Sequence, residues 1–236
     1  MLSPKRLART AGVLYLLVGI FGGFAEGFVE PKVYVAGNAA ATAANVVANA
    51  TLVRTGVVAD LLDQVLFVFL ALSLYVLLKH VHHGMARSMV ILVALAAGIA
   101  CLNTVFEFEG LRAATSGAYA AALGTAGSNA MVLTLLDLQH YGLLVAQIFF
   151  GLWLAPLGYL AYRSGLFPKA LGVALAVGAV SYLVDVLAAF LVPDVAVRIH
   201  SFVVIPSAIA EISMVGYLLV FGVRSVKPAE PALVAA

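Results

Sequence analysis

The stretch LQHYGLLVAQIFFGLWLAPLGYLAY, residues 138–162, contains no Asp, Glu, Lys or Arg, and it decides the fold class. An α-helix rises about 1.5 Å per residue, so a helix of this length exceeds the roughly 30 Å hydrocarbon layer of a membrane. The run is rich in Leu, Ala and Gly and has no strict alternation of polar positions, which favours a helix over a strand. We therefore predict a transmembrane helix here.

The whole chain has a similar composition. Of its 236 residues, 64% are hydrophobic and 10% are charged, and the mean hydropathy is +1.11. Soluble domains are about half apolar and about a quarter charged, so these values exclude a water-soluble core. Six runs are long enough to cross a membrane, at about residues 7–29, 55–78, 86–108, 131–162, 169–192 and 199–223. We predict an all-α, six-helix transmembrane bundle that forms one domain over residues 1–228, followed by a disordered cytoplasmic tail at 229–236.

The positions of Lys and Arg predict the orientation of the bundle. With a cytoplasmic N-terminus, nine of the 13 basic side chains fall on the cytoplasmic side and four on the outer side, as the positive-inside rule requires. Both termini are then cytoplasmic. No basic cluster is interleaved with aromatic residues, so nucleic acid is not an expected partner. One alternative is that residues 5–25, with their basic start and apolar run, are a cleaved signal peptide.

Two longer connections lie on the predicted outer side. Residues 30–54 are rich in Ala, and Asn38 is placed to cap a short helix there. We predict that this helix lies on the membrane surface, with a lid over a cavity as the alternative. Residues 115–129 are rich in Gly, Ser and Ala and are predicted to form a loop.

Every predicted span carries polar side chains, which are costly in a membrane, by about 2.5–3.5 kcal/mol for Asp at a helix centre. Side chains three, four or seven positions apart share a helix face, so these residues form one stripe on each helix. The stripes place most of the acids at similar depth, in the outer half. We predict one outward-facing cavity, closed by apolar residues on the cytoplasmic side. Its candidate ion or proton sites are Glu26, Asp60, Asp63, Gln64, Asn103, Glu107, Asp137, His140, Gln147, Asp185, His200 and Glu211.

Carboxyl groups crowded out of water retain protons on some members, and ionised members can hold a cation. Asp137 and His140 lie one helical turn apart, a spacing that suits two ligands of a metal. No cofactor motif is identified, and a divalent cation at these two residues stays open. A plainer alternative is that the acids pair with Arg54 and Arg198 and only hold the helices together.

Several segments resemble a bacterial six-span membrane family known only as a domain of unknown function. They are RLARTAGVLYLL (6–17), GNAAATAANV (37–46), RTGVVADL (54–61), FFGLWLAPLGYLAYRSGLFPKALGV (149–173) and the pair Pro206 and Glu211. The most specific piece is the Y-R-S-G-x-x-P-x-x-L-G turn at Tyr162–Gly172. The resemblance implies a helical protein of the bacterial inner membrane with six spans, and it supplies no activity or catalytic residue.

Motifs exclude several functions. The chain contains no G-x-x-x-x-G-K-[ST], H-E-x-x-H or G-x-S-x-G, and no G-x-G-x-x-G after a strand, which argues against nucleotide hydrolysis and the common serine and zinc hydrolases. Three functions stay open: proton- or cation-linked binding or transport of a small molecule, an intramembrane enzyme that uses a carboxylic general acid or a bound metal on a lipophilic substrate, and a structural or sensory partner. Membrane lipids are expected partners; the ligand and the oligomeric state stay open.

Overall fold

The computed structural model describes residues 3–224, and all regular structure within them is helical. The seven helices are α1 (Pro4–Val33), α2 (Ala39–Ala48), α3 (Ala50–Leu78), α4 (His83–Thr115), α5 (Gly117–Ser164), α6 (Lys169–Leu191) and α7 (Pro193–Val220). All except α2 are long and apolar enough to span a membrane. The predicted six-helix fold is confirmed, and the chain is a multi-pass membrane protein. The predicted tail at 229–236 lies outside the described residues.

Local sequence sets where the helices begin and end. Ser3 accepts a hydrogen bond from the backbone of Arg6, and Pro4 follows it in the first turn, where its missing N–H costs nothing. Asn38 accepts from the backbone of Ala41 at 3.0 Å, so the predicted cap of α2 is confirmed. Gly165 ends α5 with a φ of +68°, a conformation that favours glycine.

The predicted loop at 115–129 is wrong, because this stretch forms the beginning of α5. Ser116 is extended and caps the helix, and the Ala-rich sequence after it has a high helix propensity. The Gly and Ser content leaves one kink, at Gly124, where φ is +70°. Helical structure therefore begins at Gly117 and not near residue 131, as a short segment that meets the long segment of α5 at Gly124.

Two of the spanning helices, α1 and α7, depart from regular α-helical geometry near polar residues. Residues Ala25–Val29 of α1 form a π-helical turn. Helix α7 consists of two segments, Pro193–Val203 and Ile205–Val220, since Pro206 provides no N–H for a regular hydrogen bond across the break. The hydroxyl of Ser181 donates to the carbonyl of Val203, and that of Ser207 donates to the carbonyl of Val204 at 2.7 Å. Two serine hydroxyl groups thereby bond to backbone oxygens next to the break.

The six long helices form a closed ring in sequence order. Each packs against the next, and the Ile205–Val220 segment of α7 packs against α1. Glycines permit the closest crossings: a Cβ atom on Gly172 would lie 2.7 Å from the carbonyl oxygen of Gly158 and 2.8 Å from the backbone nitrogen of Tyr162. Helices α5 and α6 therefore cross in backbone contact, which accounts for the last glycine of the Tyr162–Gly172 turn.

The two halves of the ring are filled differently. In the half that holds both ends of the described chain, here called the proximal half, apolar side chains such as Leu74, Met89, Leu157 and Met214 form a continuous core. In the opposite, distal half, the interior is a polar cavity. A second apolar cluster joins α2 to the distal ends of α3, α4 and α5. Helix α2 thus packs on the protein and covers part of the distal end.

Candidate functional site

The distal cavity has a volume of about 500 Å³. Cavities of roughly 300–1,000 Å³ are typical of small-molecule sites. All six spanning helices contribute residues to its lining. The cavity brings together nine of the twelve residues proposed from the sequence: Glu26, Asp60, Asp63, Gln64, Asn103, His140, Gln147, His200 and Glu211.

The other three proposed residues lie around the cavity. Glu107 is buried and lines a smaller cleft beside Glu26. Asp137 accepts a hydrogen bond from the hydroxyl of Tyr34 at 2.6 Å. Asp185, only 2% exposed, accepts from the amide of Gln147 at 2.8 Å and pairs with His200 at 2.8 Å. Asp185 therefore links three helices, α5, α6 and α7.

Aromatic rings form the floor of the cavity, on the side of the proximal core. Phe67, Phe150, Trp153 and Tyr182 all line it. The ring of Phe67 meets that of Trp153 edge-on, with centroids 5.0 Å apart, and Tyr15 lies 5.6 Å from Trp153 on the same measure. Such pairs add about 0.5–1.5 kcal/mol beyond their buried area, so contacts between the aromatic rings stabilise the floor.

Glu211 reaches this floor and is held by two phenols. The hydroxyl of Tyr15 donates to Oε2 at 2.7 Å, and the hydroxyl of Tyr182 donates to Oε1 at 2.8 Å. Both donors are neutral, and they come from α1 and α6, the two helices that flank α7 in the ring. The carboxyl group is thus oriented without a cation.

Side chains from the end of α1 and from α5 form the roof. Nδ1 of His140 lies 2.7 Å from Oε1 of Glu30, and the ring of Tyr34 stacks on His140 with centroids 5.3 Å apart. Burial, followed by the hydrogen bond to Asp137, raises the pKa of Tyr34 above its usual value, so the phenol remains a donor. The roof is therefore closed by hydrogen bonds and stacking over this part of the cavity.

The wall between floor and roof contains polar atoms without partners. Asp63 accepts from the amide of its neighbour Gln64 at 2.8 Å, yet Oδ1 of Asp63, Oε1 of Gln64 and Nδ2 of Asn103 are buried and form no hydrogen bond with the described residues. The three residues are 7%, 5% and 6% exposed, respectively. An unsatisfied buried polar group costs about 1–3 kcal/mol. Groups of this kind call for an explanation, such as an ordered water, an ion or a ligand bound in the cavity.

Acidic side chains are the most numerous ionisable groups of the lining. Five carboxyl groups (Glu26, Glu30, Asp60, Asp63 and Glu211) and two imidazoles line the cavity, and no Lys or Arg does so within residues 3–224. Neither Arg54 nor Arg198 forms an ion pair with a described carboxyl group. The arginine pairing considered from the sequence is therefore not what holds these acids.

The geometry assembles no metal centre in the part of the chain that is described. There, no three His, Cys, Asp or Glu side chains are grouped so as to hold an ion. Asp137 and His140 share a helix face, but their neighbours differ: Asp137 bonds to Tyr34, and His140 bonds to Glu30.

Sequence reasoning missed Glu30, Tyr34 and Tyr182, and it did not place the aromatic floor in the site. Glu30 and Tyr34 were assigned to the connection after the first span, whereas α1 continues to Val33 and carries Glu30 into the cavity. The signal was present, because Glu30 and Tyr34 continue the stripe of Glu26 in steps of four. Tyr182 lies three positions before Asp185 and belongs to the same face of α6.

A family model described as Domain of unknown function (DUF4386) matches residues 10–222, and the chain belongs to this family. The resemblance stated from the sequence is thereby confirmed. No curated protein and no solved structure matches the chain.

Proposed function

We propose that this member of the family binds a small organic cation in the distal cavity and releases protons from the cavity as the cation enters. The observation that carries the proposal is the lining: five carboxyl groups, with no Lys or Arg among the described lining residues, above an aromatic floor. An ammonium group forms strong hydrogen bonds with carboxylates and is attracted to the faces of aromatic rings. The apolar part of the same molecule would pack on Phe67, Phe150 and Trp153.

The link to protons follows from the balance of charge. Two unit charges 4 Å apart repel by about 4 kcal/mol at an effective dielectric constant of about 20. Carboxyl groups that share a cavity without Lys or Arg therefore need protons, a cation, or both. A cation that enters replaces protons, so its affinity should rise with pH for as long as the ligand itself stays charged.

The proposal also includes the membrane in which the protein lies and the orientation of the chain in that membrane. We place the chain in the bacterial inner membrane with both termini in the cytoplasm, so that the cavity lies in the outer half; the nine-to-four distribution of basic residues supports this. Passage across the membrane would require the proximal core to open. The π-helical turn in α1 and the break in α7 flank the cavity and support such movement, because irregular helices beside binding sites are common in transporters.

The test uses Trp153, which is the only tryptophan of the chain and forms part of the cavity floor. The full chain, purified in detergent, is titrated with cyclohexylmethylammonium, and cyclohexylmethanol serves as a neutral molecule of matched shape. We expect a saturable change in fluorescence with the ammonium and none with the alcohol. An equal response to both molecules, or no response to either, would refute the proposal.

A variant of the cavity wall tests whether the fluorescence response arises from binding in the cavity. Asp63→Asn removes a charge-assisted hydrogen bond, which is worth about 1.5–3 kcal/mol, so the affinity should fall roughly 10- to 100-fold. Glu109→Gln is the matched control, since Glu109 pairs with Arg112 and does not line the cavity. Its affinity should equal that of the wild type.

A further inference from the structure

Resting on the proposed function, we infer that the cation is an amphiphile, a single-chain alkylammonium that reaches the cavity from the lipid through an opening between α1 and α7. The headgroup would lie against Asp63, and the alkyl chain would pass through the opening toward the lipid.

The opening arises because the two helices diverge at their distal ends. The Ile205–Val220 segment of α7 packs against α1 and closes the ring there. Beyond the break, the Pro193–Val203 segment packs instead against α6, while the π-helical turn of α1 packs against α3. Each helix therefore leans toward its other neighbour. The side chain of His200, on the Pro193–Val203 segment, lines the cavity although it is 58% exposed.

Glycines keep the α1 side of the opening free of side chains. Gly19 and Gly23 both line the cavity and are both exposed. A Cβ atom built on either would meet no atom within 4 Å, so the space beside them is open. Ile20, the residue after Gly19, and Phe202, two residues after His200, are exposed apolar side chains. An alkyl chain leaving the cavity here would contact apolar groups and lipid.

A polar anchor lies directly inside the opening. A Cβ atom on Gly22 would lie 3.5 Å from Oδ2 of Asp63, so the carboxyl group rests against the glycine surface of α1. Oδ1 of the same group is buried and unpartnered within the described chain. An ammonium headgroup at the cavity face of Asp63 would offer a donor to this carboxyl group. The juxtaposition of an unpaired acceptor with a route to lipid is what favours an amphiphile over a freely soluble cation.

The distal end of the cavity is covered by side chains and by α2. Glu30, Tyr34 and His140 close the roof by hydrogen bonding and stacking. Helix α2 packs on the distal ends of α4 and α5 beside them. A ligand that partitions into the membrane meets the open side of the ring, whereas a ligand from water meets the covered side.

The experiment measures how fast decylammonium associates with the full chain in lipid nanodiscs, by stopped-flow fluorescence of Trp153. Gly23→Leu places a side chain in the opening. Gly98→Leu is the matched control, because Gly98 is an exposed glycine of α4 that has no atom within 4 Å of a built Cβ and does not line the cavity. We expect Gly23→Leu to slow association about tenfold, within the range that single changes produce in association rates, and Gly98→Leu to match the wild type.

The outcomes separate this inference from the proposed function. If cyclohexylmethylammonium binds while decylammonium does not, or if decylammonium associates equally fast with both variants, the lateral route is refuted and the cation site stands. If neither ammonium binds to the wild type, the proposed function fails, and the inference that rests on it fails too.

Discussion

Replacing Asp63 by Asn should make the ligand-free protein more stable, although Asp63 is buried in the bundle. The only hydrogen-bond partner of its carboxyl group among the described residues is Gln64, the next residue of the same helix. Asp63 therefore joins no two helices by hydrogen bonding. Its second oxygen is buried and has no hydrogen-bond partner among the described residues, so the carboxyl group should cost stability in the ligand-free protein.

The size of the effect follows from this environment. Inserting Asp at a helix centre costs about 2.5–3.5 kcal/mol on translocon scales, and water in the cavity lowers this cost. Asn has nearly the same shape and keeps an oxygen that can accept from Gln64, but it needs partners for its own amide protons. We expect a net gain of about 1–2 kcal/mol, which for a chain of this length is a rise in Tm of about 2–8 °C.

Asp185→Asn is the matched control, with the opposite sign. Asp185 is equally buried, but it accepts from Gln147 and pairs with His200, so it links three helices. Its replacement should cost about 1–2 kcal/mol, a modest loss because His200 is exposed and its charge is screened. The assay is thermal unfolding of the purified chain in detergent without ligand, followed by circular dichroism. A loss of stability in Asp63→Asn as large as that in Asp185→Asn would show that Asp63 is a structural residue.

Three further predictions concern the framework of the site. Gly172→Ala should destabilise the chain by about 1–3 kcal/mol, because the new methyl group meets the backbone of α5. Gly98→Ala places its methyl group in open space and should stabilise the chain by about 0.5–1 kcal/mol. Unfolding in denaturant measures both changes. Tyr34→Phe removes the hydroxyl group that donates to Asp137 in the roof, and it should lower the free energy of unfolding by about 0.5–1.5 kcal/mol in the same measurement. An unchanged stability would contradict this prediction. Reporter fusions after Lys227 and within residues 37–49 should report opposite sides of the membrane, and a shared side would contradict the orientation.

Composition was enough to predict the fold, since apolar runs of this length leave a backbone few ways to satisfy its hydrogen bonds. Helix bounds were harder to predict. The helix at Gly117 was missed because Gly and Ser were weighted above the Ala-rich sequence between them. The extension of α1 to Val33 was missed because Glu30 and Pro31 are typical of a helix end. The π-helical turn before them, through which the helix continues, has no sequence signature.

The polar stripes indicated which residues share the cavity, because helical spacing determines the face of each helix. They could not indicate which partners each residue finds. That His140 pairs with Glu30, that Glu211 is held by two phenols, and that neither Arg54 nor Arg198 pairs with a described acid all depend on how six helices pack around the ring. The spacing of residues along one helix does not show which residues of another helix they will contact.

The pattern of satisfied and unsatisfied groups separates a binding site from a structural network. Elsewhere in the same bundle polar groups have partners: the hydroxyl of Ser181 donates to the carbonyl of Val203 next to the break in α7, and both oxygens of Glu211 accept hydrogen bonds. In the cavity wall, Asn103 carries an unpaired N–H while Gln64 and Asp63 carry unpaired oxygens, and these complementary groups do not meet. Lipid provides no hydrophobic drive between helices, so a wall that served only to join them would gain by closing such pairs. The unpaired groups instead favour a wall that serves a ligand, and an ammonium group above the aromatic floor would bring donors of its own to the carboxyl and amide groups of the wall.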